Sequence, residues 1–143
     1  MKTFDVQYQN FLKLEKLPTI ESKLAFFIKL VESGLIYENN ILKARNIEVY
    51  VRFSTRSVQG QTMRMLDITS IKMAEKIQGR GWFSSFETIV EAICPWEAVR
   101  YELVDNEFLY NHFKKRGLYE ENANFYWFKK NPQDCYSFKK FAM

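Results

Sequence analysis

The sequence predicts one mixed α/β domain, and three observations carry that prediction. The period of the apolar residues changes along the chain. Ile20, Leu24, Phe27, Ile28 and Val31 recur at helical spacing, whereas Ile47, Val49, Val51 and Phe53 alternate with Glu48, Tyr50 and Arg52 as in a half-buried strand. Met63 to Met73 is a long apolar run with apolar residues on both faces, as expected of a central strand in a sheet covered on both sides. Behind it, Trp82, Phe83, Phe86, Ile89, Val90 and Ile93 form one broad helical stripe. A chain of 143 residues is enough for one such core.

The elements follow in order. Phe4, Tyr8, Phe11 and Leu12 predict a short first helix that ends before Pro18. The second helix has Thr19 as N-cap and Gly34 as its C-terminal stop. A weaker strand lies within Leu35 to Ala44 and precedes the alternating one. The polar stretch Ser54 to Thr62, with Gln59-Gly60, reads as a hairpin connection to the central strand. In the stripe helix Glu87 and Glu91 fall on the side opposite the apolar residues, and Pro95 follows its end. Ala98 to Val104 is a further strand and Asn106 to Arg116 a further helix, whose Lys114, Lys115 and Arg116 suit the negative end of the helix dipole before Gly117. Tyr119–Lys129 and Cys135–Phe141 read as two aromatic-rich strands joined by the turn Asn131-Pro132-Gln133-Asp134.

Composition narrows the function classes. Hydrophobic residues make up 47% and aromatics 17%, which excludes a disordered chain. No run reaches the roughly 18 apolar residues of a membrane span, and Met1-Lys2-Thr3-Phe4-Asp5 lacks the apolar core of a secretory signal. A cytoplasmic protein with Cys94 and Cys135 as free thiols is expected. One histidine and two scattered cysteines make no zinc set. The net charge of +4 lies entirely in the last 30 residues, where seven basic side chains face three acidic ones. That segment suits either a solvated surface or an anionic partner, nucleic acid included.

The stretch Gln78-Gly79-Arg80-Gly81-Trp82-Phe83-Ser84-Ser85 sits between the central strand and the stripe helix. Glycines let a ligand approach the backbone, and the first N–H groups of a helix have no intrahelical partner, so such a loop suits phosphate. Alone it is equally a turn that starts a helix. Gly79-x-Gly81-x-x-Ser84 partly mimics a dinucleotide fingerprint, without the repeated β-α-β context, and the lysine-serine/threonine ending of a P-loop is absent.

With the segment from Asn106 to Leu118, the loop resembles the acetyl-CoA-binding core of the GNAT (GCN5-related N-acetyltransferase) superfamily. The family's loop reads Gln/Arg-x-x-Gly-x-Gly/Ala; Gln78 and Gly81 match, and Phe83 stands at the last place. Asn106, Leu109, Phe113, Gly117 and Leu118 stand at the spacing of its second motif, with Phe113 where a tyrosine is usual. The resemblance covers about residues 45–130, with residues 1–34 as a helical N-terminal part. It implies a single GNAT-like domain over 1–143, with a central mixed, mostly antiparallel twisted sheet flanked by helices. It also implies acetyl-CoA as co-substrate. Ile71, Lys72 and Met73 would meet pantetheine through the strand backbone. Gln78, Gly79, Arg80, Gly81, Trp82, Phe83 and Ser84 would cradle the pyrophosphate, with Asn106 and Phe113 on the neighbouring helix.

Acetyl transfer to an amine needs a deprotonated nucleophile, a stabilised oxyanion and a proton for the leaving thiolate. Phe113 cannot donate that proton, so Tyr110 and Tyr119 are the candidate substitutes, with His112 more plausibly a packed or surface residue. Asp67 is the candidate base, ahead of Glu75. The expected activity is an N-acyltransferase with a primary amine acceptor of open class. The alternative is a catalytically impaired GNAT-fold module that contacts a protein or a nucleic acid. Phe125-Tyr126-Trp127-Phe128 compares with nucleic-acid stacking platforms, but alternation in a strand favours burial. A homodimer is compatible with either reading, and no membrane partner is expected.

Overall fold

Thr19 begins the first complete helix, α1 (Ile20–Glu32). Its hydroxyl accepts from the Ser22 N–H at 3.0 Å, and Ser22 Oγ accepts in return from the Thr19 N–H at 3.2 Å. This reciprocal cap satisfies donors that the helix itself leaves open. Gly34 ends the helix in the left-handed region at φ 73°, as the sequence led one to expect. The computed structural model describes residue 9 and residues 12–14, 16–34, 39–74, 81–102 and 107–129. The expected strand Cys135–Phe141, its preceding turn, and Phe4, Tyr8 and Phe11 of the expected first helix lie outside them.

After α1 come β1 (Asn39–Ala44), β2 (Ile47–Val58), β3 (Gln61–Met73), α2 (Trp82–Ile93), β4 (Ala98–Tyr101), α3 (Glu107–Arg116), β5 (Tyr119–Glu121) and β6 (Asn124–Phe128). The six strands form one sheet in the order β1-β2-β3-β4-β6-β5. Only β3 and β4 are parallel, and α2 is the crossover between them; every other neighbouring pair is antiparallel. The fold is thus α/β, with a mixed sheet flanked by helices.

Two expected boundaries move. The polar connection Ser54 to Thr62 shrinks to Gln59-Gly60, both at positive φ (51° and 80°), because a two-residue hairpin needs that backbone. Ser54 and Arg56 are polar residues within β2 and carry no turn. Likewise Tyr119–Lys129 is a hairpin rather than one strand, turned by Asn122 and Ala123 at φ 53° and 65°. Alanine seldom adopts that conformation, so its residue type gave no turn signal.

The two faces of the sheet differ. Val49, Val51, Leu66, Ile68, Val99, Tyr101 and Phe125 form one buried cluster with Leu24, Phe27 and Ile28 of α1, Phe83, Phe86 and Val90 of α2, and Leu109 and Phe113 of α3. All three described helices therefore cover this face. Val58, Met63, Met65, Ala98 and Tyr126 point the other way and form a second, smaller cluster made of strand residues alone. The central strand is buried on both faces, as expected, but helices from the described residues cover only one.

Candidate functional site

The parallel pair β3/β4 is short. It runs from Met65↔Ala98 to Ile68↔Tyr101. The Glu97 N–H donates to Arg64 O, and the Glu102 N–H donates to Ile68 O, each at 3.0 Å. Even-numbered residues of β3 therefore turn their carbonyls toward β4 up to Ile68.

The register then slips. Tyr50 pairs with Ser70 but Val51 pairs with Ile68, so Thr69 is an extra residue, and its hydroxyl donates to Tyr50 O at 3.2 Å. Such a bulge bends and twists its strand. Beyond it the Ala74 N–H donates to Asn46 O at 2.8 Å, so even-numbered residues now face β2. Ile71 and Met73 consequently turn their backbone groups to the side where β4 lay. Among the described residues no strand pairs with β3 there beyond Ile68. The backbone of Lys72 faces β2 instead, and its side chain is exposed.

The helix that follows β3 starts without a side-chain cap. Gly81 is its N-cap at φ 77°, and no acidic residue occupies the first turn. The Ser85 N–H donates to Gly81 O at 3.3 Å, which leaves the amides of Trp82, Phe83 and Ser84 at the positive helix end without intrahelical acceptors. Phe83 has turned inward, edge-on to Phe113 at 5.8 Å and to Tyr101 at 6.4 Å. Its bulk therefore leaves the front of the helix clear. Trp82 stacks on Phe86 at 4.8 Å, and Ser84 is exposed. Gln78, Gly79, Arg80, Asn106 and Glu75 lie outside the described residues.

The candidate catalytic groups are scattered. Asp67 is fully buried on the face opposite the helices. Its Oδ2 accepts from Arg52 Nε at 3.0 Å and lies 3.6 Å from Arg100 Nη1 and 3.9 Å from Arg56 Nη2. Phe113 is also fully buried, in the helix-covered core, stacked on Tyr101 at 4.7 Å and 5.2 Å from Phe125. Tyr110 packs edge-on to Phe125, with its hydroxyl 3.4 Å from Glu120 Oε2. Tyr119 belongs to the edge strand β5, stands on the opposite face beside Tyr126 and Phe128, and donates to Glu121 at 2.6 Å. That bond and partial burial raise its phenol pKa above the ordinary value. The structure does not bring the three candidate catalytic side chains, Asp67, Tyr110 and Tyr119, together.

Sequence reasoning missed two ionic clusters. Glu87 and Glu91 do not face solvent opposite the stripe; they clamp α2 to α3. Arg116 donates to both oxygens of Glu91 at 2.8 and 2.9 Å and lies 2.6 Å from Glu87 Oε2. His112 Nε2 is 2.8 Å from Glu87 Oε1. Tyr101, buried on the sheet, donates to Glu91 Oε2 at 2.6 Å. Burial pushes its phenol pKa well up, and the charge of Glu91 adds to the shift. The i, i+4 spacing of Glu87 and Glu91 with Arg116 at a helix end was the available signal, but it needs the partner helix to be read.

The second cluster is a row across three strands. Arg52, Asp67 and Arg100 are direct cross-strand neighbours. Glu102 lies just past the end of β4, and its Oε1 accepts from Arg52 Nη2 at 2.5 Å and also from Arg100 Nη1.

Two of the four basic residues in the described part of the C-terminal segment are ion-paired, Lys114 with Glu120 at 2.5 Å and Arg116 with Glu87 and Glu91, while Lys129 donates to Cys94 O at 3.2 Å. At the amino end of the parallel pair, Gln61, Met63, Arg64, Pro95, Trp96, Glu97 and Lys129 line a cleft of about 370 Å³. It lies at the end away from the Thr69 bulge and holds none of the expected site residues. Beside it Cys94 is buried, and desolvation pushes its thiol up to about 11.

Among the described residues there is no group of three or more His, Cys, Asp or Glu that could hold a metal ion, and no helix long and apolar enough to cross a membrane. Comparison of the chain with protein-family models, with curated proteins and with solved structures gives no match.

Proposed function

We propose that the chain is a GNAT-like N-acyltransferase that binds acetyl-CoA and passes the acetyl group to a primary amine. One observation carries the reading: beyond the Thr69 bulge the backbone of Ile71 turns to the β4 side, where no strand among the described residues pairs with it, on the strand that precedes an uncapped helix. Crevices at the carboxyl ends of parallel strands in open α/β sheets are the usual ligand position. An extended, amide-bearing chain such as pantetheine can bond to an open strand edge as another strand would. A pyrophosphate would meet the free amides of Trp82, Phe83 and Ser84.

In the transfer, the amine nitrogen attacks the thioester carbonyl. The new C–N bond forms as the C–S bond breaks, the amine gives up a proton, and coenzyme A leaves as a thiolate that takes one up. Phe113 supplies no acid. Its complete burial, with that of Asp67, favours the alternative reading of a GNAT-fold binding module for a macromolecule.

Calorimetric titration with acetyl-CoA tests the ligand, and Ser84→Glu tests its place. A glutamate in the first turn suits the helix dipole, so the melting temperature of this variant stays level or rises, while its charge removes acetyl-CoA binding. Absence of heat at millimolar acetyl-CoA on the unaltered chain refutes the ligand, and undiminished binding by Ser84→Glu refutes the location. Thiol release in the presence of amines then separates enzyme from binding module.

A further inference from the structure

We infer that the charged patch on the face that α1, α2 and α3 do not cover is the acceptor subsite, and that it takes a small amine that also carries an acidic group. This rests on the transferase reading, because it assigns the acceptor class of that reaction. The patch stands beside the bulge in β3. Glu102 is the first residue beyond β4, and its amide donates to Ile68 O, one residue before Thr69. Its side chain reaches the face opposite the helices, so an amine held there meets the bulge from the face that α1, α2 and α3 do not cover.

The groups in the patch are supplied but not consumed. Glu102 Oε1 is bridged by Arg52 and Arg100, while Oε2 has no hydrogen-bond partner among the described residues, and the side chain is 23% exposed. That oxygen can take an ammonium. Arg56 is 38% exposed. Its Nε donates to Ser54 Oγ at 3.3 Å, and its nearest carboxylate oxygen, on Asp67, is 3.9 Å away, beyond hydrogen-bond reach. The outer N–H groups of Arg56 therefore remain to be filled, in the planar fork that suits a carboxylate or phosphate.

Asp67 Oδ1 and Arg100 Nε, both buried, also lack partners. Buried polar atoms are seldom left so, and a row in which an anion and a cation are both under-satisfied is incomplete as a purely structural network. Three guanidiniums against two carboxylates leave one net positive charge, which selects for an acidic group on the incoming molecule.

The test titrates β-alanine, phosphoethanolamine and propylamine into the full chain without acetyl-CoA, so its outcome is independent of thioester binding. β-Alanine or phosphoethanolamine is expected to bind saturably, at least about tenfold tighter than propylamine. Arg56→Gln and Glu102→Gln each weaken this by about tenfold, as the loss of a charge-assisted bond requires. Arg56→Lys, which keeps the charge but not the fork, recovers only part. Thermal melting confirms that each variant is folded; Arg56 is exposed enough for its replacement to leave stability unchanged. Equal affinity for propylamine, insensitivity to Arg56→Gln, or no binding by any of the three overturns the proposal. A chain that binds acetyl-CoA but none of these amines loses the acceptor assignment alone. One that binds the zwitterions but not acetyl-CoA keeps the subsite and loses the transferase reading.

Discussion

The two faces of β3 and β4 hold the sheet together by opposite means. On the helix side Leu66, Ile68, Val99 and Tyr101 meet Phe83, Phe86 and Phe113, and aromatic rings pack at 4.7 to 6.5 Å. On the other side the same strands carry Asp67 and Arg100, fully or nearly buried, between Arg52 and Glu102. Apolar packing gains from every atom removed from water and tolerates exchange among shapes of similar volume. A buried ionic row has to recover a desolvation cost that its own attraction barely offsets. The first face is built for stability. The second holds charge at a cost.

Truncation is the strongest way to probe the contrast. Phe113→Ala should cost about 3–5 kcal/mol by opening a cavity among four rings. Asp67→Ala should cost about the same for a different reason, since three guanidiniums lose their buried counter-ion. Urea unfolding measures both. The faces separate in the next step: replacing Arg52, Asp67 and Arg100 together by Met, Leu and Met should recover most of the loss, because a matched apolar set carries no desolvation cost. If the triple variant is no more stable than Asp67→Ala, the row is a stabilising device and the contrast fails.

Alkaline titration sharpens the comparison from the helix side. Burial raises the Cys94 thiol from 9.0 to about 11 and the Tyr101 phenol well above 10.0. For each acid the unfolded chain releases its proton first, so it binds fewer protons than the native state once pH exceeds the unfolded value. The stability these groups contribute is complete below about pH 9 and is lost as pH rises through their folded values. The melting temperature should therefore fall above pH 9, and Cys94→Ala should flatten the first part of that fall. A wild-type curve that stays level to pH 11 contradicts the assignment.

Phe113→Tyr is expected to cost about 1–3 kcal/mol, because the added hydroxyl enters an aromatic stack without a partner. Tyr101 avoids that cost only by reaching Glu91. Thiol release should not improve in this variant; a faster rate would mean that the residue 113 side chain reaches the thioester. The smallest effect serves as a control away from both faces. Thr19→Ala should cost about 1 kcal/mol through loss of the α1 cap, with ligand binding unaltered.

The helices and most of the strands were legible because each signal is local. The cap at Thr19, the stop at Gly34, the alternation through Ile47–Phe53 and the stripe from Trp82 to Ile93 need no distant partner to be read. Burial of Phe83 was also legible, since it falls on the stripe with Phe86 and Val90. The ionic row was not: Arg52, Asp67 and Arg100 are 15 and 33 residues apart in sequence and become neighbours only through strand register. Asp67 was singled out as a base from its position on the central strand, whereas the structure encloses it among guanidiniums. The inward turn of Glu87 and Glu91 similarly depends on Arg116 arriving from another helix. Of the expected acetyl-CoA site, Ile71 and Met73 turn their backbone to the β4 side of β3, and Trp82, Phe83 and Ser84 present uncapped amides. The remaining loop residues lie outside the described ones.

One signal in the apolar run was open to view. The side chains on the helix face are even-numbered at Leu66 and Ile68 and odd-numbered at Ile71 and Met73, so the alternation slips by one at Thr69. The run looked apolar on both faces because two phases were read as one.

Thr69 thus acts on the strand as a one-letter insertion acts on a reading frame. Everything before it is read in one phase and everything after it in the other, for side chains and backbone alike. Deleting it would restore a single frame. With Thr69 gone, Ile71 and Met73 keep the helix face in unbroken alternation with Leu66 and Ile68. Straightening the strand with Thr69 still in it would instead turn the apolar pair onto the charged face and Lys72 into the helix-covered core. The bulge is therefore what lets a strand with one residue too many keep its apolar side chains on one face.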